Sequence, residues 1–389
     1  MIVNARPDQR SATAGVGIIV NPKHVATRRA YTALSETLRD RAAAYRTMTT
    51  TAVRDGRWQA EQLVDWGAEV VIVLGGDGTI RASAPVLAEA GILAAVVPTG
   101  TANVLSRHVG LGSTRQAIAH CLSILRSAGD EADASIRRIP INTANFRRAD
   151  GRWEQTAFLC LAGIGGDARA VARHHGLPGL AGYAWGAARA LFAQGLTVTG
   201  DAVTAGEPVW SVMASKVARP AGPISVFPSA RVDDEQFSAL TVGPLPRGSA
   251  RAVRAWAGIA AACLKGRPES HPLMHYRSTT AVTIRLDAPA PAQLDGDLIG
   301  DCLELRLSAG RQLPPGAGRG PAAPRRVPPA RRRSVSLDVI VGSHGRGADT
   351  SSRCRPELSR SSRQSPMRSP SSWAGAGASR RIVTAVVLR

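Results

Sequence analysis

Aromatic side chains are scarce: Phe, Tyr and Trp make up 4% of the 389 residues. A hydrophobic content of 44% is enough for a sizeable core, but that core has to be built from Ala, Val, Leu and Ile. Cysteine is sparse too. Cys121, Cys160, Cys263, Cys302 and Cys354 lie far apart, with no CxxC and no Cys/His metal spacing. They are expected to be reduced, buried thiols of a cytoplasmic protein. No run of about 20 uncharged apolar residues occurs, so no membrane-spanning helix is expected. Met1–Arg10 has charged and polar residues where the apolar part of a signal peptide would stand. No internal repeat is visible.

Lysine is missing from residues 311–389, which hold 16 Arg and three acidic residues. That segment therefore carries +13 of the chain's net +20. The remaining 310 residues are only mildly basic. This argues against a folded nucleic-acid-binding protein and suits anionic phosphates or an anionic membrane surface. From 311 onward Pro, Arg, Ser and Gly dominate without an apolar period, so a disordered basic tail is predicted.

The first third alternates short apolar runs with helical spacing. Strands are predicted at 16–20, 47–53, 69–74 and 92–97, with helices at 27–44, 57–67, 80–90, 102–109 and 113–128. That order implies βαβ units and a parallel sheet buried on both faces, with ligands at the carboxyl ends of the strands. Beyond about 133 the runs 136–145, 154–163, 208–217, 223–227, 238–242 and 280–286 read as strands, interrupted by helices at 181–194 and 248–264. A mainly antiparallel second domain follows. The boundaries are 1–132, 133–310 and 311–389.

Gly75-Gly76-Asp77-Gly78-Thr79 ends an apolar strand. Glycines admit a phosphate close to the backbone, and successive N–H groups form an anion nest at a helix start. Asp77 cannot attract phosphate. It suits water-mediated magnesium binding, or proton abstraction from an attacking hydroxyl. A second turn, Pro98-Thr99-Gly100-Thr101-Ala102-Asn103, is followed by Arg107. Thr101, Asn103 and Arg107 carry donors for the same anion. Either turn alone would pass for an ordinary capped helix start; two at adjacent strand ends point to one phosphate site. Gly163–Ala168 lacks the spacing of a dinucleotide fingerprint. Tyr183, Trp185, Leu191 and Phe192 are core, or the wall of a lipid pocket.

The two turns, with Asn21-Pro22, Gly163-Ile164-Gly165-Gly166-Asp167-Ala168, Arg231-Val232-Asp233-Asp234 and Asp295-Gly296-Asp297, resemble the catalytic domain of the diacylglycerol and sphingosine kinase family over residues 15–308. The resemblance implies an α/β nucleotide-binding domain of the NAD kinase/diacylglycerol kinase kind, followed by a β-sandwich, with the lipid entering between them. It implies ATP and Mg2+ as cofactors. Asn21, Gly75, Gly76, Asp77, Gly78 and Thr79 would line the nucleotide, with Thr101 near its phosphates. Asp233 and Asp234 match an acidic turn associated with magnesium. Asp295 or Asp297 would carry or support the catalytic acid, leaving Asp77, Asp295 and Asp297 as candidate bases. Arg81, Ala82, Val104 and Glu235 depart from the family pattern.

The reading is an ATP-dependent lipid kinase acting on a lipid substrate at a membrane surface, with diacylglycerol the first choice of acceptor. Sphingoid bases and other long-chain alcohols are the nearest alternatives. NAD kinase, and a basic membrane- or nucleic-acid-binding protein acting through its tail, are more distant ones. Cytoplasmic location with peripheral membrane association is expected. No specific nucleic acid partner is expected, and a homodimer is left open.

Overall fold

The structure is a computed structural model that describes residues 15–40, 44–124, 136–172, 196–200, 208–246, 249–311 and 336–340. The predicted helix 181–194, and with it Tyr183, Trp185, Leu191 and Phe192, lies outside the described residues.

The first sheet is built as the alternating pattern implies. Strands β1 (Val16–Val20), β2 (Tyr45–Thr49), β3 (Val70–Gly75) and β4 (Leu93–Pro98) run parallel in the order β2-β1-β3-β4. Residues of β1, β3 and β4 are buried throughout, as expected of strands covered on both faces. The connecting helices are α1 (Val25–Asp40), α2 (Arg57–Asp65), α3 (Asp77–Glu89), α4 (Val104–His108) and α5 (Thr114–Ile124). Helix α3 starts three residues before the predicted 80, directly on Asp77. The chain leaves β1 toward β2 on one side and reaches β3 on the other. That reversal opens a crevice at the carboxyl ends of β1 and β3.

Two strands complete this sheet from outside the first third. β5 (Ile136–Pro140) is antiparallel to β16 (Ser336–Ile340), and β16 lies between β5 and β4. The predicted strand 136–145 is therefore two strands, and its first half belongs to the first sheet. β16 corrects the expectation that 311–389 lacks order throughout. Leu337 and Val339 are fully buried in the first core, and Asp338 pairs with Arg138 at 2.6 Å. The rest of that segment, Arg311 aside, lies outside the described residues.

The second sheet is antiparallel. Its main path runs β13-β12-β11-β8-β14-β15-β6-β7, with β9 beside β14 and β10 beside β9. The strands are β6 (Asn142–Arg148), β7 (Trp153–Phe158), β8 (Leu161–Gly165), β9 (Leu196–Thr199), β10 (Pro208–Val209), β11 (Ser211–Ser215), β12 (Phe237–Val242), β13 (Met274–Thr279), β14 (Ala281–Leu294) and β15 (Asp297–Ser308). The ten strands join in one hydrogen-bonded sheet where two stacked sheets were expected. Register shifts at Arg285/Ala290 and Ala292/Gln293 bend the long β14. Two helices belong to this part, α6 (Gly166–Ala172) and α7 (Ser249–Leu264). The predicted strand 223–227 is irregular backbone. Phe158 and Phe237 stack with ring centroids 5.7 Å apart, inside a core otherwise made of Ala, Val, Leu and Ile with one Phe and one Cys. Among the described residues no helix is long and apolar enough to cross a membrane.

Candidate active site

The two glycine turns meet at the carboxyl edge of the first sheet. β3 and β4 are in register up to Gly75 opposite Pro98, and the Thr99 N–H donates to the Gly75 carbonyl at 3.1 Å. A Cβ built on Gly100 would lie 2.5 Å from the Gly76 Cα. Only glycine lets these backbones approach so closely. Asn21, just past β1, donates from Nδ2 to Thr79 Oγ1 at 3.0 Å and so spans the crevice. The Thr27 hydroxyl donates to Thr99 Oγ1 at 2.8 Å, tying α1 to the second turn.

Asp77 stands at the first position of α3 and reaches across to α4. Its Oδ2 accepts the Val104 N–H at 3.0 Å and its Oδ1 the Leu105 N–H at 3.2 Å. One carboxylate thus caps a helix other than its own. Burial pushes Asp77 up to about 6, against those two N–H groups, which favour the ionised form. The nearby Asp295 raises it slightly further.

Asp295 and Asp297 sit either side of the β14–β15 turn and have different surroundings. Asp295 is buried, at φ 52, and its carboxylate accepts N–H groups of Leu159, Cys160 and Leu161 at 2.9, 2.7 and 3.0 Å. Burial raises its pKa, opposed by Arg81 and by those three N–H groups. Asp297 is half exposed. It accepts from Arg81 at 2.8 Å, while the other Arg81 nitrogen donates to the Leu294 carbonyl at 2.8 Å. A Cβ on Gly78 would meet Asp297 Oδ2 at 2.7 Å, so this carboxylate hangs over the first glycine turn. Arg81, which stands where the family pattern has another residue, joins α3 to the second sheet.

The other predicted residues of the second turn are partly engaged in structure. Asn103 sits at φ 46, accepts the Gly100 N–H at 3.0 Å and donates to the Gly100 carbonyl at 2.7 Å. Its side chain closes the turn. Arg107 donates to the carbonyls of Ala102, Gly222 and Pro220, and the Arg219 N–H donates to His108 Nε2 at 3.2 Å. Helix α4 is thereby pinned to the second part of the chain. Burial lowers the His108 pKa. Thr101 is exposed on the cleft wall.

Most of these residues, though not Asn103 or His108, line one cleft of about 1160 Å3 between the two sheets. Asn21, the 75–79 turn, Thr101 and Arg107 line it, with Asp297 over the first glycine turn and Asp295 close to Asp77. Leu161, Val171, Met213 and Val226 give the opposite wall an apolar face. Asp167, at the start of α6, also lines the cleft, and its Oδ2 accepts from Gln293 at 2.6 Å. Gln293 in turn accepts the Gly296 N–H at 2.8 Å. The Gly163–Ala168 motif is thus wired to the 295–297 turn through a fully buried glutamine that sequence reasoning passed over.

Asp233 and Asp234, expected at a magnesium site, do not line this cleft. Asp233 pairs with Arg231 at 3.3 Å and Arg137 at 3.7 Å. Asp234 Oδ1 accepts the N–H groups of Glu235 and Gln236 at 2.7 and 3.2 Å. Beneath the turn lies Lys216, fully buried, whose Nζ donates to the Asp234 carbonyl. Burial lowers the Lys216 pKa to about 8, opposed by Asp234, Asp233 and Glu235. A single lysine inside the buried run 211–217 was the sequence signal for this cation. Among the described residues, no group of three or more His, Cys, Asp or Glu is arranged to hold a metal ion.

Residues 15–135 match the family model of the diacylglycerol kinase catalytic domain. The chain therefore carries a domain of that family, the one the two glycine turns resemble. Two solved structures from Bacillus anthracis Sterne, provisionally described as diacylglycerol kinases, share the fold. One is 18% identical with a TM-score of 0.54 and the other 20% identical with a TM-score of 0.51. Each alignment covers 77% of this chain and 96% of the other. No curated protein matches.

Proposed function

We propose that the protein transfers the γ-phosphoryl group of ATP to a hydroxyl of a lipid, with diacylglycerol the foremost candidate acceptor. The observation that carries this reading is the asymmetry of the cleft. One wall is two abutting glycine turns at a parallel-sheet switch point, suited to a polyphosphate. The other wall is apolar, suited to an acyl chain. The cleft lies at or above the usual upper size of a single small-molecule site, roughly 1,000 Å3, which leaves room for two substrates.

The acceptor oxygen attacks the γ-phosphorus, the bond from that phosphorus to the bridging oxygen breaks, and ADP leaves with the electron pair. The hydroxyl proton passes to a carboxylate as the new bond forms. Asp77 is the best placed of the three candidates. It stands in the phosphate wall, its pKa lies near the working pH, and two N–H groups fix its orientation. Asp295 has three N–H partners and holds the 159–161 turn. Asp297 is paired to Arg81.

Magnesium fits a site of this kind. It keeps most of its water and takes one or two carboxylates plus substrate phosphates, so no three-ligand cluster is required of the protein. Asp77 and Asp297 face the place where a magnesium nucleotide would be held through water. Bound there, the ion would offset charge on the transferring phosphoryl group. Main-chain N–H groups of the two turns that are not bonded within the protein would be donors to the phosphates.

The test is a panel assay with labelled ATP and magnesium. Diacylglycerol, a sphingoid base, a long-chain alcohol and NAD are offered in parallel. Label transfer to a lipid is expected. Transfer to NAD alone, or no ATP affinity at millimolar concentrations, would overturn the reading.

A further inference from the structure

The acidic turn at 231–236 resembles a magnesium-associated turn, yet its residues do not fit a metal. A divalent ion needs several oxygens converging at short range with lone pairs to spare. Here the Asp233 carboxylate is held by two arginines, and Asp234 Oδ1 accepts two main-chain N–H groups. The inward-facing main-chain oxygen, that of Asp234, accepts from the Lys216 ammonium. Lys216 follows the last residue of β11 and is fully buried. Its N–H donates to the Cys160 carbonyl at 2.8 Å, which fixes where its side chain starts. The Phe237 ring centroid lies 5.8 Å from Nζ, a further cation-stabilising contact. A buried ammonium persists only where acceptors and opposite charge meet it, and the 233–235 acids provide that charge. A metal placed at the same carbonyl would have to displace the lysine or sit beside its positive charge.

We propose that Lys216 is the built-in cation of the 231–236 turn, so that this turn takes no divalent ion and the protein binds magnesium only together with a nucleotide. A covalently attached cation cannot dissociate, so chelators should leave the second part of the chain intact.

The test uses the full-length chain and does not depend on activity. Magnesium chloride and EDTA are added separately to nucleotide-free protein, and the thermal unfolding midpoint and bound magnesium after equilibrium dialysis are measured. The expected result is an unchanged midpoint and no bound metal above the protein-free blank. One equivalent bound without nucleotide, or a midpoint lowered by EDTA, overturns the proposal. Lys216→Met removes the charge and roughly keeps the shape. It should unfold at a lower temperature, and a midpoint equal to that of the parent protein would also overturn the proposal. Should that variant fail to fold, Lys216→Arg keeps the charge, and it has to fold and remain indifferent to both additions. Magnesium that fails to bind even with ATP would count against the kinase reading and leave the lysine assignment standing.

Discussion

Two turns in this molecule carry aspartate side by side with main-chain donors, and they end up in opposite roles. At 75–79, Asp77 uses two N–H groups of another helix and still lines a large cleft. At 231–236, Asp233 and Asp234 are met by arginines, main-chain N–H groups and a lysine beneath, and neither lines that cleft. Acidic composition is therefore a poor guide to chemistry. What separates the turns is whether the surrounding fold leaves room for a second charged body.

The largest effect should come from the first turn. If Asp77 is the base, Asp77→Asn removes the proton acceptor and nearly preserves its shape, and turnover should fall about 10²–10⁴-fold. ATP affinity by calorimetry should change little by comparison, while the unfolding midpoint drops modestly, because the asparagine amide can accept only one of the two N–H groups that Asp77 holds. Alanine is a poorer choice, because losing a helix-capping carboxylate costs about 1 kcal/mol by itself. Near-native turnover in Asp77→Asn would move the base to Asp297 and erase the contrast between the two turns.

The next effect concerns the contact that builds the phosphate wall. Gly100→Ala would force a methyl to within 2.5 Å of the Gly76 Cα, so the two turns have to part. Overpacking of this kind costs about 1–3 kcal/mol. ATP affinity should fall roughly tenfold or more, since about 1.4 kcal/mol corresponds to a factor of ten. Calorimetric titration checks this.

How much of this was legible in the sequence depends on distance along the chain. Local patterns carried the first sheet: VGIIV, EVVIVL and ILAAVV are apolar runs with glycine or proline at their ends, and each became a buried strand. The two turns were legible for the same reason. What failed required distant partners. β16 is five residues among arginines and prolines; only the alternation of Leu337 and Val339 hints at a strand, and β4 and β5 supply its reason to form. The split of 136–145 at Ile141 follows from the chain switching sheets, which no local period records. The position of Asn103 near the glycine is visible in the sequence, whereas its bond back to Gly100 is not. Lys216 and Gln293 went unread because each matters through a partner 18 or 126 residues away.

A pH profile sharpens the comparison further. A base must be ionised to act, and burial raises the Asp77 pKa to about 6. Turnover should hold level above that value and fall as the pH drops through it, approaching tenfold per unit below. The same shift has a consequence for folding. A carboxyl whose folded pKa is raised binds more protons folded than unfolded, so its contribution to stability diminishes as pH rises from about 4 to 6. Activity and this part of stability should therefore move in opposite directions across that window. A rate profile with no acid limb near 6 would dissociate Asp77 from the proton transfer.

The smallest effect is expected at the second turn, and its smallness is informative. Asp233→Asn breaks pairs with the exposed Arg231 and the partly exposed Arg137, and solvent-accessible pairs of this kind contribute about 0–1 kcal/mol. Asparagine can still accept hydrogen bonds from either guanidinium, so the unfolding midpoint should move by only a few degrees at most, on the order of what 1 kcal/mol produces. Turnover and its dependence on magnesium concentration should stay within about twofold of the parent, a difference near 0.4 kcal/mol. The outcome that contradicts the contrast is a raised magnesium requirement in this variant at unchanged ATP affinity. Asp233 would then be sensed at the reacting phosphates from outside the cleft, and the two acidic turns would belong to one metal-dependent system, not to a catalytic site and a charge-neutralised brace.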